Sequence, residues 1–209
     1  MRQTRTKMVT KWALICGVLT LAVSVAIDLL AAFIWRGYNF NTDSAGQLTA
    51  LGALTRPIVL PLVEARCLLL VAFGIGVWQL SGSNFAMRVT GALLLAGGGL
   101  WFLSGFFRNR LGETPPVFSL QVILGAAGIV FLPLAAILLG AAAFHSIGTL
   151  VLLAVLTVLG LAVQGEPHVG LQERVMGYGF LFWDAVLAVA LLLSATPSAA
   201  AASSPLGQL

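Results

Sequence analysis

Long apolar runs are the feature that most restricts how this chain can fold. Six such runs are separated by short breaks that are polar or marked by glycine and proline. A helix that crosses the hydrocarbon core of a bilayer needs about 20 residues. Because lipid offers the backbone no hydrogen-bond partners, each run is predicted to be a helix. The predicted spans are 12–35, 57–80, 85–107, 117–144, 147–163 and 174–195.

The composition supports this interpretation. Of the 209 residues, 59% are hydrophobic and 9% are charged, with a mean hydropathy of +1.02. Soluble domains average about 25% charged residues, so too few polar side chains are present here to cover a water-soluble core. Soluble enzymes, nucleic-acid binders and disordered proteins are therefore excluded. The predicted fold class is all-α, an integral membrane bundle of six transmembrane helices over residues 12–195. A low-complexity tail, 196–209, is expected to be disordered.

A basic segment, 1–11, precedes the first apolar run and contains Arg2, Arg5, Lys7 and Lys11. The run itself is about twice as long as the roughly 7–15-residue core of a signal peptide, so it is predicted to be a retained helix. A basic segment beside a membrane span is typical of the cytoplasmic side. With six spans, both termini are then predicted to be cytoplasmic. The net charge of +4 is concentrated in this segment, and no nucleic-acid partner is predicted.

Sequence signatures of catalysis and of metal binding are absent. The chain has no Walker loop, no H-E-x-x-H, no G-x-S-x-G and no C-x-x-C motif. His145 and His168 fall in different loops, and Cys16 and Cys67 fall inside apolar runs, where cysteine is a small buried hydrophobe. No catalytic residue, metal site or cofactor is predicted.

Charged residues inside the spans are the candidate functional residues. A charge at the bilayer centre costs about 2.5–3.5 kcal/mol on insertion scales, so such residues normally face the bundle interior and pair with one another. Depth along the helices places the acidic ones in the outer half or the middle of the bundle, with two more charges at the outer mouth of the last helix. The predicted polar cluster consists of Asp28, Glu64, Arg66, Glu173, Arg174 and Asp184.

Arg66 is expected to form a salt bridge with Asp28 or Asp184, since a buried guanidinium needs a partner to recover its solvation. Two hypotheses stay open for the cluster. It either forms a structural network of ion pairs that sets the helix order, or it lines an outward-opening cavity that binds a ligand or relays protons.

Glycines are frequent in the predicted helices, among them Gly74, Gly91 and 97–99. Small residues let membrane helices approach closely. Packing within the chain is the favoured explanation, and a homo-oligomer face or a substrate groove is the alternative. Pro133 is predicted to kink the fourth helix because it removes a backbone donor.

One segment resembles a known family. Gly170-Leu171-Gln172-Glu173-Arg174 begins the last helix, and Trp183 follows nine residues after Arg174. This pattern is similar to the end of a bacterial polytopic family catalogued as domain of unknown function 998 (DUF998). Softer similarities lie at 43–53 and 108–114. The resemblance implies a six-helix protein of the bacterial inner membrane without an established activity.

Two function classes follow from these observations. The favoured one is a non-enzymatic multi-pass protein: a small transporter, a lipid-interacting protein or an accessory protein with membrane lipids as partners. The alternative is a membrane-embedded enzyme that acts on a lipid-linked substrate through its outer acidic residues. An enzyme needs a converging nucleophile or base with supporting residues, whereas only Asp, Glu and Arg side chains are expected to converge here.

Overall fold

The computed structural model describes residues 2–107, 110 and 168–195. The predicted spans 117–144 and 147–163, the kink at Pro133 and the tail 196–209 lie outside these residues. Within them the chain forms four α-helices and one short 3₁₀ helix. Their bounds are α1 Arg2–Ile34, the 3₁₀ helix Ala45–Thr49, α2 Arg56–Leu80, α3 Phe85–Ser104 and α4 Val169–Ala195.

Each of the four α-helices contains a segment long and apolar enough to cross a membrane. These segments are Met8–Ile34, Arg56–Leu80, Phe85–Ser104 and Val169–Ser194. The prediction of an all-α fold with several helices able to span a membrane is thus confirmed for the described part of the chain. The count of six spans stays a prediction.

Two helices begin earlier than their apolar runs do. α1 extends back through the basic segment to Arg2, and α4 begins at Val169 rather than at residue 174. The early start of α4 places the polar residues of the motif on a helix. It is stabilised because the backbone N–H of Leu171 donates to the carbonyl of Asn41 at 3.0 Å, and Glu173 and Arg174 find partners described below.

The helices pack around α1 and α2. α2 lies against both α1 and α3, and α1 also packs against α4. Among the described residues, the largest fully buried side chain is Phe73 on α2, which belongs to a core formed by residues from all four helices. Such buried side chains make close dispersion contacts. In a membrane these contacts hold helices together, because lipid tails are as apolar as the side chains and burial therefore gains little from the hydrophobic effect.

Glycines bring α2 and α3 into close contact. A Cβ atom on Gly91 would lie 2.7 Å from the backbone nitrogen of Trp78, and one on Gly74 would lie 2.9 Å from that of Leu95. Gly98 faces the backbone of Cys67 in the same way. These glycines serve helix packing within the chain, the favoured explanation of the sequence.

The connection between α1 and α2, here called the loop 35–55, folds over one end of the bundle. The side chain of Ser44 accepts a hydrogen bond from the backbone of Gly46 and so caps the 3₁₀ helix. Leu48 of that helix is buried against Ile27 and Val59 of the two flanking helices. The loop 35–55 is thereby anchored beside the first turns of α4.

Candidate functional site

Arg174 and Asp28 form the buried centre of the site. The Nε atom of Arg174 on α4 lies 3.2 Å from Oδ1 of Asp28 on α1, and the two side chains are 4% and 14% exposed. Both residues belong to the predicted polar cluster. A charge pair removed from water to this extent is maintained only if its remaining donors and acceptors are also satisfied.

Two tyrosines complete the surroundings of Asp28. The hydroxyl of Tyr38 donates to Oδ1 at 3.2 Å, and the hydroxyl of Tyr178 donates to Oδ2. Tyr38 also accepts a hydrogen bond from Nη2 of Arg174. These are the only two tyrosines in the sequence, and both contact the same carboxylate. Asp28 therefore connects α1, α4 and the loop 35–55 in one network.

The remaining donors of Arg174 hold the loop 35–55. Its Nη1 atom donates to the backbone carbonyls of Phe40 at 3.0 Å, Asp43 at 2.9 Å and Gly170 at 2.8 Å. Its guanidinium carbon also lies 4.3 Å from the centre of the Phe40 ring, a cation–π contact. The loop 35–55 can lie this close to α4 only because residue 170 is glycine. A Cβ atom there would lie 2.5 Å from the carbonyl oxygen of Asp43.

Glu173 binds the next part of the same loop. Its Oε1 and Oε2 atoms accept hydrogen bonds from the hydroxyl of Ser44 at 2.8 and 2.9 Å, and Oε2 also accepts one from the backbone N–H of Ala45 at 2.8 Å. Gly170, Glu173 and Arg174 are the residues of the motif that begins α4, and all three contact the loop 35–55. We call these three residues the loop clamp.

A cavity of about 180 Å³ lies below the loop clamp, between α1, α2 and α4. Asp28, Glu173 and Arg174 form part of its wall, and Ser24 and Arg66 form another part. We call it the small cavity. Four of the six residues of the predicted polar cluster, Asp28, Arg66, Glu173 and Arg174, therefore line the small cavity together.

A second cavity, of about 500 Å³, adjoins the first and is here called the large cavity. It lies between α2, α3 and α4, and much of its wall is apolar. Six residues line both cavities: Ala45, Gly46, Val63, Arg66, Glu173 and Gly177. Arg66 and Glu173 are the two charged residues among these six.

The prediction that Arg66 pairs with Asp28 or Asp184 is wrong. Its Nη1 atom donates to the hydroxyl of Ser24 at 3.4 Å, and its guanidinium carbon lies 5.4 Å from the centre of the Trp101 ring. Nε of Arg66 is buried and has no hydrogen-bond partner in the described part of the chain.

The reason is depth along the helices. Arg174 is five residues from the start of α4 and Asp28 is six residues from the end of α1, so both lie about 8–9 Å below the loop. Arg66 is ten residues from the start of α2, about 15 Å below the loop, which is the level of Ser24. Arg174 therefore reaches Asp28, and Arg66 lies more than one helical turn deeper.

Glu64 and Asp184 do not join the other four residues. The carboxylate of Glu64 occupies the place that a Cβ atom at Gly105 would take, on the side of α2 that faces α3. Asp184 is fully buried, 1% exposed, and among the described residues its Oδ2 has no hydrogen-bond partner. Neither residue belongs to the described lining of the two cavities.

Several residues of the site were missed by the reasoning from sequence. Ser24, Trp101 and Tyr178 look like ordinary members of apolar helices, and Tyr38 like one polar loop residue among several. The rarity of tyrosine in this chain is the one signal that could have indicated the pair of hydroxyls around Asp28.

Comparison with known proteins adds no assignment. No protein-family model matches the sequence, and neither a curated protein nor a solved structure shows significant similarity to it. Among the described residues, no group of three or more His, Cys, Asp and Glu side chains is arranged to hold a metal ion. What the site can bind is therefore argued from its own geometry, which offers a partly buried guanidinium to two adjacent cavities.

Proposed function

We propose that this chain is a non-enzymatic, multi-pass protein of the bacterial inner membrane that binds an anionic ligand at Arg66. The proposal rests on the incomplete hydrogen bonding of that guanidinium and on its position at the cavities. It lines both cavities, it has a buried Nε without a partner among the described residues, and its one hydrogen bond there, to Ser24, is long.

The chemistry of arginine supports an anionic ligand. The guanidinium stays charged and presents its donors in a planar fork that matches the oxygens of a phosphate or a carboxylate. Arg66 lies about 15 Å along its helix, at a depth where an unbalanced charge is costly. A ligand anion in the cavity would offset that cost, as Asp28 does for Arg174.

Binding is favoured over catalysis because the carboxylates of the small cavity are already engaged. Asp28 is held by Arg174 and two tyrosines, and Glu173 is held by Ser44 and Ala45. A general acid or base must exchange a proton with the substrate. Both carboxylates instead hold the loop 35–55 in place above the cavities.

The resemblance to DUF998 and the membrane orientation belong to the same proposal. The loop clamp supports the resemblance, because the motif residues Gly170, Glu173 and Arg174 act together on one loop. The basic segment 1–11 supports cytoplasmic termini, which would put the loop 35–55 and the mouths of the cavities on the outer side.

Binding of octyl phosphate tests the proposal. The protein would be purified in a neutral detergent, and native mass spectrometry would count bound probe over a titration. We expect Arg66→Gln to weaken binding at least tenfold and Arg66→Lys to weaken it less, because lysine keeps the charge but loses the fork. Arg88→Gln is the matched control, since Arg88 is exposed and donates to the carbonyl of Gly82 outside both cavities.

Two results would overturn the proposal. One is binding of octyl phosphate that is equal in the wild type, Arg66→Gln and Arg66→Lys. The other is binding of octanol, the neutral analogue, as strongly as octyl phosphate. Thermal unfolding of each variant in the same detergent shows that a loss of binding is not a loss of fold.

A further inference from the structure

The large cavity combines the Arg66 guanidinium with an apolar wall. Val63, Trp101, Met176 and Phe180 contribute apolar surface to it. The Trp101 ring lies beside the guanidinium, so charge and apolar surface meet at one end of the cavity. A site of this kind suits a ligand that is itself divided into a charged and an apolar part.

The volume argues against a small inorganic ion as the full occupant. The 500 Å³ of the large cavity is about 17 times the roughly 30 Å³ of one water-sized group. An inorganic phosphate has only five heavy atoms and would contact Arg66 while leaving most of the apolar wall uncovered. An apolar chain that covers this wall removes apolar surface from water, which is favourable, whereas water in the cavity leaves that surface exposed.

The charges of the wall further restrict the ligand. Glu173 lines both cavities, and its carboxylate is exposed at their loop end, where it is held by Ser44 and Ala45. A second anionic group near Glu173 would be repelled by it. The negative charge of the ligand is therefore confined to the part that contacts Arg66.

From these three observations we infer that the ligand is an amphiphile with one anionic group and one apolar chain. Its phosphate or carboxylate binds the guanidinium of Arg66, and its chain occupies the large cavity between Trp101, Met176 and Phe180. This inference rests on the proposed function, because it names the class of ligand that the anion site takes. It adds an apolar chain to the ligand, which binding of an anion at Arg66 does not by itself require.

A series of probes with one head group and different chains tests the inference. The probes are inorganic phosphate and butyl, octyl and dodecyl phosphate, titrated in the assay described for octyl phosphate. We expect apparent affinity to rise at least about tenfold from butyl to octyl phosphate, because each added methylene is buried against the apolar wall. Dodecanoate, tested beside dodecyl phosphate, distinguishes a carboxylate head group from a phosphate.

A cavity-filling variant tests where the chain binds. Met176→Trp places a larger side chain in the large cavity, so we expect dodecyl phosphate to bind at least tenfold more weakly and butyl phosphate to be unaffected. Leu29→Trp is the matched control, because Leu29 is 68% exposed and lies on α1 away from both cavities.

The outcomes separate this inference from the proposed function. If all phosphates bind with equal affinity and still require Arg66, the amphiphile is excluded and the anion site stands. The same conclusion follows if Met176→Trp affects butyl and dodecyl phosphate equally. If no probe requires Arg66, both the inference and the proposed function fail.

Discussion

The guanidinium of Arg174 on α4 binds the carboxylate of Asp28 on α1, residues that are 146 positions apart in the chain. The same guanidinium holds two carbonyls of the loop 35–55. One side chain thus connects two membrane helices and the loop that closes one end of the bundle. The cavities beside Arg66 lie directly under this connection, so their shape depends on it.

The contributions of Arg174 and Asp28 to the free energy of unfolding should be coupled through their salt bridge. Asp28→Asn and Arg174→Gln should each lower the free energy of unfolding by about 3 kcal/mol, because each leaves a buried charge without its partner. The double variant should lose less than the sum of the two single variants. Unfolding in detergent, followed by circular dichroism over a double-mutant cycle, measures this coupling. Additive effects would show that the two charges are stabilised independently.

The loop clamp should fail when Gly170 acquires a side chain. In Gly170→Ala the new Cβ would lie 2.5 Å from the carbonyl of Asp43 and 2.7 Å from that of Phe40, so the loop 35–55 must move away. We expect faster hydrogen exchange of the loop amides and a loss of about 1–3 kcal/mol of stability. Gly177→Ala is the control, because a Cβ there meets nothing within 4 Å. Equal exchange in the two variants would contradict the clamp.

Close packing of α2 and α3 should depend on Gly91. Gly91→Ala would force the helices apart at the backbone of Trp78, at a cost of about 1–3 kcal/mol. Gly99→Ala, on the same helix with open space at its Cβ position, should change the unfolding temperature much less. The comparison of the two melting curves checks this prediction. A similar loss in both variants would contradict this prediction, because alanine has a higher helix propensity than glycine and, among the described residues, Gly99 has no close neighbour at its Cβ position.

The orientation of the bundle can be tested with cysteine labels in cells. On a background with Cys16 and Cys67 replaced by alanine, Asn41→Cys should react with an impermeant maleimide in intact cells, since the loop 35–55 is predicted to be outside. Ser83→Cys, in the turn between α2 and α3, should react only after permeabilisation. Both residues are exposed in the structure. The opposite pattern would place the amino terminus outside.

The membrane class and most helix bounds could be derived from the sequence alone. Hydropathy over about 20 residues is a local property, and lipid requires any such segment to satisfy its own backbone hydrogen bonds. The predicted start of α2 at residue 57 and the observed start at Arg56 differ by one residue for this reason. α4 differed by five residues because its first turns are stabilised by the loop 35–55, a contact that is distant in sequence.

The pairing of the charges was decided by the tertiary structure. The sequence indicated that Asp28 and Arg66 must face the bundle interior, because a charge in lipid is costly, and it placed Arg174 at the outer mouth of the last helix. It did not determine which arginine meets Asp28, since that depends on where α4 begins and on how its level along the bundle matches that of α1. The levels of the helices relative to one another result from helix packing and from the loop 35–55. Arg174 therefore pairs with the carboxylate of Asp28, and Arg66 faces the cavities.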